Sequence, residues 1–200
     1  MFGLPVTTAI NQPLSKKAVF EKFNLKAAER ERFDADISRL VIIHRIDAGT
    51  IPAVQSGKEV KSIWVLAVTL KRQIYNPKNV EMLFKLIPQR MILALQFGDE
   101  TQLAAFDGMM VTSSWEKTDE HQLALKGIDL DSVWSNLVAQ VANVVVSEGK
   151  DVRVQIEENV RHEALQKKIA ALEDKARKES QPHRKMELFE EIQKYKNSLI

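Results

Sequence analysis

From residue 150 to residue 200 the chain has no glycine, is densely charged, and is interrupted only at Ser180-Gln181-Pro182-His183. Proline is tolerated at the first position of a helix but not inside one, so this stretch predicts two helices joined by a short turn. On the first, Ile156, Val160, Leu165, Ile169, Leu172 and Ala176 form an apolar stripe. Its last part steps by four, three and four residues, the spacing of coiled-coil packing. On the second, Leu188, Ile192, Tyr195 and Leu199 repeat the spacing, with Met186 and Phe189 beside them. If the chain reverses near Gln181, Ala176 meets Met186, Leu172 meets Phe189, Ile169 meets Ile192 and Leu165 meets Tyr195, as an antiparallel hairpin requires. Glu163 with Lys167, Asp174 with Lys178 and Glu190 with Lys194 are favourable pairs four apart. Lys175, Arg177 and Lys178 crowd the negative end of the first helix's dipole. Such a hairpin, about 40 Å long, buries too little to stand alone. Its outer apolar groups are therefore expected to touch the rest of the chain, a second copy or another protein.

Residues 1–148 have a different texture and predict an α+β body, with 149–200 as the helical hairpin. Residues 1 to 13 contain Pro5 and Pro13 and suit an extended arm or loop. Ser15 is a helix cap ahead of Val19, Phe20 and Phe23, and a second helical stretch runs from Lys26 to Asp36. Ile37 to Ile46 has the composition of a buried strand and stops at a turn, Asp47-Ala48-Gly49-Thr50. Val60 to Lys71 is almost continuously apolar, as a central strand covered on both faces must be. Asn76-Pro77 opens a helix that ends at Pro88, followed by strands at Met91–Phe97 and Gln102–Phe106 and a hairpin through Asp107-Gly108 to Trp115. A last body helix from Ile128 to about Val146 is capped by Asp129 or Asp131. The expected body is a mixed sheet of about five strands flanked by helices.

Composition narrows the chemistry. A 44% hydrophobic content supports a core, and 29 Lys plus Arg against 27 Asp plus Glu gives a formal charge of only +2, too mild to imply a nucleic-acid or membrane partner. With no cysteine there is no disulfide, thiolate nucleophile or thiolate metal site. The start lacks a secretory pattern and no apolar run approaches the roughly 20 residues of a membrane span. A cytoplasmic protein is expected.

Seven glycines with no Gly-rich cluster ahead of a helix argue against a phosphate-binding loop. His44, His121, His162 and His183 are scattered without metal-ligand spacing, and no Gly-x-Ser-x-Gly elbow is present. No cofactor or metal is expected. One constellation points elsewhere. Asp47 after a strand, with Glu59 and Lys61 ahead of the strongest strand, resembles the core order of restriction-endonuclease-like nucleases, in which paired carboxylates hold Mg²⁺ and a lysine helps activate water. In those enzymes the acid and lysine lie further along the strand, so here Asp47 reads as a turn residue and Glu59 and Lys61 as strand-edge charges. Lys16, Lys17, Lys22, Lys26, Arg30 and Arg32 are interleaved with Glu21, Glu29, Glu31 and Asp34, which weakens the case for nucleic-acid contact there. Trp64, Trp115 and Trp134 lie in apolar settings suited to core packing.

Several stretches resemble, as a set, an uncharacterised bacterial family known only as a domain of unknown function, number 4391 in its catalogue. They are Met1-Phe2-Gly3-Leu4-Pro5, Phe33-Asp34-Ala35-Asp36-Ile37-Ser38-Arg39-Leu40, Val60-Lys61-Ser62-Ile63, Leu86-Ile87-Pro88-Gln89 and Leu130-Asp131-Ser132-Val133-Trp134. The resemblance spans nearly the whole chain and carries no catalytic residues. It implies a genomic setting beside helicases and DNA methyltransferases of restriction or phage-defence loci. The resulting expectation is a non-catalytic subunit that binds such a larger component through the hairpin, with a metal-dependent nuclease and self-association as the alternatives.

Overall fold

The structure is a computed structural model that describes residues 2–144 and 152–198. The chain divides into two compact units, Met1–Ser147 and Glu148–Ile200. In the first, a 3-10 turn at Val6–Thr8 leads to strand β1 (Ala9–Leu14) and helices α1 (Lys16–Lys22) and α2 (Ala27–Asp36). Strands β2 (Ile37–Ile46) and β3 (Ile63–Leu70) follow, then helix α3 (Pro77–Phe84). Strands β4 (Arg90–Phe97), β5 (Glu100–Asp107), β6 (Met109–Thr112) and β7 (Glu116–Lys117) precede helix α4 (Leu130–Val141).

The strands form one sheet in the order β1-β2-β3-β4-β5-β6, with β7 also on β5. Every neighbouring pair is antiparallel except β3 and β4, which run parallel through the α3 crossover. The fold is α+β. It has more strands than the sequence suggested, for two reasons. Residues 9–14 form a sheet edge, where Pro13, opposite Val41, is tolerated because an edge strand can do without one amide donor. Beyond Asp107-Gly108 the returning strand is split: β6 pairs with the end of β5 and β7 with its start. Gly108 sits alone between the paired Asp107 and Met109 at φ +79, a conformation that only glycine adopts cheaply.

Helix starts follow the caps. Ser15 Oγ accepts from Lys17 N at 3.1 Å, Asn76 Oδ1 from Lys78 N at 3.0 Å, and Asp129 Oδ1 from Ser132 N at 2.8 Å. α3 ends at Phe84, short of Pro88, because the chain tightens into bonds from Lys85 N to Met82 O and Leu86 N to Leu83 O. The residue ahead of a proline is kept out of the helical region.

β3 lies third in the sheet and is buried along nearly its whole length. Leu40, Ile42, Leu66, Val68, Leu93 and Leu95 share a core cluster with Val19, Phe33, Val80 and Leu83 of the first three helices. The alternate residues Val41, Val65, Ala67, Ile92, Ala94, Leu103 and Ala105 are buried as well, so both faces are covered. α4 packs against β5 and β6 and buries Leu130, Val133, Trp134, Leu137, Val138 and Val141. Trp64 and Trp115 are half-buried against the first cluster, so all three tryptophans pack.

The second unit consists of helices α5 (Val152–Lys178) and α6 (Pro182–Asn197), which pack together. Pro182 opens α6 at its first turn. Ile169, Leu172, Ala176 and Ile192 form the buried seam, with Leu188 and Tyr195 against it. Lys168 Nζ bonds Tyr195 Oη and lies 4.2 Å from its ring centre, while Lys196 Nζ reaches Glu173 at 2.8 Å. With only a short turn between them, the two packed helices run antiparallel. Among the described residues no helix is long and apolar enough to cross a membrane.

Candidate functional site

Three places gather polar or exposed apolar groups. The first lies where β3 and β4 begin. The loop before β3 is tied to the start of α4 by Gln55 N to Ile128 O at 3.0 Å and Leu130 N to Gln55 O at 2.9 Å. The Asp131 carboxylate then accepts from Lys58 N at 2.6 Å, Val60 N at 2.7 Å and Glu59 N at 3.2 Å. These amides, that of Val60 foremost, hold its carboxyl below the ordinary aspartate range. Gly57 has to be glycine here, since a Cβ would come within 2.8 Å of Asp131 N. Next to this loop, Trp64 Nε1 donates to Ser62 Oγ at 2.8 Å and Ser62 Oγ meets Gln89 Oε1 at 3.1 Å. Arg90 pairs with Asp107 at 3.1 Å and lies 5.7 Å from the Trp134 ring centre. A cleft of about 270 Å³ opens between Lys61, Ser62, Phe84, Pro88 and Gln89.

Asp47, Glu59 and Lys61 lie at this end of the sheet, because Ile46 pairs with Ile63. Asp47 and Lys61 are engaged separately, with different partners. Asp47 Oδ1 accepts from Gly49 N and Thr50 N, both at 2.9 Å, and Oδ2 meets Arg45 Nε at 2.7 Å. Burial pushes the Asp47 carboxyl up, but the Thr50 amide, the Arg45 charge and the Gly49 amide together hold it below its ordinary value. Lys61 Nζ donates to Gly57 O at 2.7 Å, and Glu59 is exposed. Among the described residues no three His, Asp or Glu side chains are grouped to hold a metal ion.

The second place is the opposite end of the same strands. Asp36, the last residue of α2, has a fully buried side chain that joins three segments. Oδ1 accepts from Arg72 Nε at 2.6 Å, and Oδ2 accepts from Asn76 N at 2.8 Å and Asn79 Nδ2 at 2.7 Å. Burial raises its pKa, yet the Asn76 amide, Arg72 and Asn79 outweigh that and leave it lowered. Sequence reading took Asp36 only as the end of a helix. The available signal was its place: a carboxylate in a helix's last turn opposes the dipole, so it needs another reason to be there.

The third place is the hairpin surface. Ile169, Leu172 and Ile192 are buried inside the seam and are not presented to a partner. Leu165 and Tyr195 are half-buried. The expected pairing of Ala176 with Met186 and Leu172 with Phe189 is corrected. Leu188 and Ile192 supply the α6 side of the seam, and Met186 and Phe189 stand 67% and 51% exposed. Phe189 follows Leu188 by one residue, about 100° round the helix, and Met186 precedes Leu188 by two, which puts it about 160° away. The side chains of Ile156 and Val160, and Leu199 altogether, lie outside the described residues.

A model of the family described as "Domain of unknown function (DUF4391)" matches residues 2–199. The chain belongs to this family. No curated protein and no solved structure matches it. In this DUF4391 chain three of the segments that carry the resemblance meet in space. Val60–Ile63, Leu86–Gln89 and Leu130–Trp134 surround the Asp131 and Ser62–Gln89 contacts, and Phe33–Leu40 carries Asp36. Phe2 O accepts from Leu123 N at 2.9 Å, and its ring packs edge-on with His121, which fixes the first segment too.

Proposed function

We propose that this DUF4391 chain is a non-catalytic interaction subunit of a bacterial anti-phage defence or restriction-type complex, holding a larger helicase or DNA methyltransferase component through its hairpin. The observation that carries the reading is the exposure of Met186 and Phe189 on an otherwise charged helix. Large apolar groups held beside a formed seam offer area to a partner, and aromatic and methionine side chains are enriched where protein surfaces meet. Among the described residues four side chains are buried in the seam, too few to hold two helices by themselves. A covering contact therefore stabilises the hairpin as well as joining the assembly. The choice of partner class follows the genomic setting that the family resemblance implies.

The test is recovery of the tagged full-length chain from its native host, with mass spectrometry of what accompanies it. A helicase or DNA methyltransferase should accompany the unaltered chain and be lost from Met186→Ser/Phe189→Ser, whose far-UV circular dichroism should be unchanged. Equal recovery with both proteins, or none with either, defeats the reading. Light scattering separates self-association, in which the double change would halve the solution mass.

A further inference from the structure

The loop between β3 and α3, residues 71–76, is fixed at almost every position. Lys71 N donates to Asp36 O at 2.8 Å, Arg72 holds the Asp36 carboxylate, and Gln73 Nε2 donates to Glu100 at 2.9 Å. Tyr75 Oη donates to Gln102 Oε1 at 2.7 Å, and Asn76 N to Asp36 Oδ2 at 2.8 Å. Ile74 alone is left over, and it stands 87% exposed. A slack loop would fold such a side chain inward; this one holds it in water, an arrangement pre-organised for contact. Phe97, at the end of β4 and 36% exposed, borders the same open groove of about 710 Å³.

The groove lies beyond the carboxyl ends of the two parallel strands, where open α/β sheets receive their ligands. Lys71 and Arg72 line it; Lys78 follows in the first turn of α3, and Arg39 stands on β2 opposite Thr69, next to the end of β3. Among the described residues Arg39, Lys71 and Lys78 have no ion-pair partner. Nearby Glu100 is engaged by Gln73, and Asp36 is buried beneath Arg72, while Asp99 marks an acidic margin. We infer that this surface binds single-stranded nucleic acid. The cations take phosphates, Phe97 offers a ring face to a base, and Ile74 is placed to wedge between two bases. None of the basic residues of the mixed-charge stretch 16–32 lines this groove.

The test uses the full-length chain and a fluorescent thymidine oligonucleotide, read by anisotropy, with a DNA duplex and polyglutamate as comparison probes. Binding of the single strand should weaken roughly 20-fold between about 50 and 200 mM salt if three phosphates are held. Lys71→Ala/Lys78→Ala should flatten that salt dependence. Ile74→Ser and Phe97→Ser should each weaken binding about fivefold or more at constant salt slope. Melting curves unchanged from the parent show that these variants fold, and Met186→Ser/Phe189→Ser should bind the oligonucleotide normally. No binding at about 50 mM salt, binding indifferent to the groove variants, binding lost with the hairpin variant, or preference for polyglutamate each overturns the inference. None of those results bears on whether the hairpin holds a protein partner, so the two readings fail separately.

Discussion

At the scale of single residues, two aspartates organise the body. Asp36 and Asp131 sit at opposite ends of the central strands: Asp36 joins one backbone amide to two side chains, and Asp131 gathers the amides of the loop before β3. Asp36→Ala removes the common acceptor of Arg72, Asn76 and Asn79, leaving the buried Asn79 amide without its partner while Arg72 still reaches solvent. The expected cost is on the order of 3 kcal/mol, read as a lower urea midpoint at unchanged slope. Asp36→Asn, which keeps the shape but reverses half of the hydrogen-bonding sense, should recover part of that loss. An Asp36→Ala protein as stable as the parent would show that Arg72 and Asn79 find other partners. Neither hub was legible beforehand, since a sequence displays an aspartate's neighbours along the chain and not the amides brought to it from some 40 or 70 residues away.

At the scale of elements, legibility followed the strength of local signals. β2 was readable to its ends, because the apolar run from Ile37 begins at the helix terminus and stops at the Asp47 turn. The starts of α1, α3 and α4 were readable from Ser15, Asn76 and Asp129, whose short polar side chains bond the first amides. β1 was not readable: its residues are mostly exposed, so alternation is faint, and the strand is held by pairing with β2. In the hairpin the Ile169-Leu172-Ala176 part of the α5 stripe was readable, but Met186 and Phe189 were placed in the seam because hydrophobicity alone does not say which apolar positions of α6 face inward. The energetic consequence separates the stripes. Ile192→Ala, in the seam, should cost about 3 kcal/mol and open the hairpin to limited proteolysis. Phe189→Ala, outside it, should change stability by no more than about 0.5 kcal/mol. Equal sensitivity of the two would mean that the seam is drawn on the wrong face.

At the scale of the whole molecule, the depressed carboxylates set the response to acid. Asp36, Asp47 and Asp131 all ionise more readily in the fold than the ordinary aspartate value of 3.8. A carboxyl whose folded pKa lies below its unfolded one contributes stability above the unfolded value and loses it as pH falls through the folded one. Unfolding monitored by circular dichroism should therefore begin below about pH 4. It should be reinforced by the 29 lysines and arginines left without opposing charge. His44 adds a shallower decline at higher pH. Burial lowers its pKa from the ordinary 6.5, and its Nδ1 lies 2.9 Å from Thr8 Oγ1 in the neutral form. A protein equally stable at pH 3 and pH 7 would show that these carboxylates lose nothing on protonation.

The outermost strand deserves a last physical reading. β1 meets β2 through a register shift between Ala9 and Gln12 and presents Pro13 in place of a regular donor. A row of evenly spaced amides is what recruits a stranger's chain into an endless ribbon, and this rim is both kinked and missing a rung. Both features work against a second sheet adding its own rim along that side.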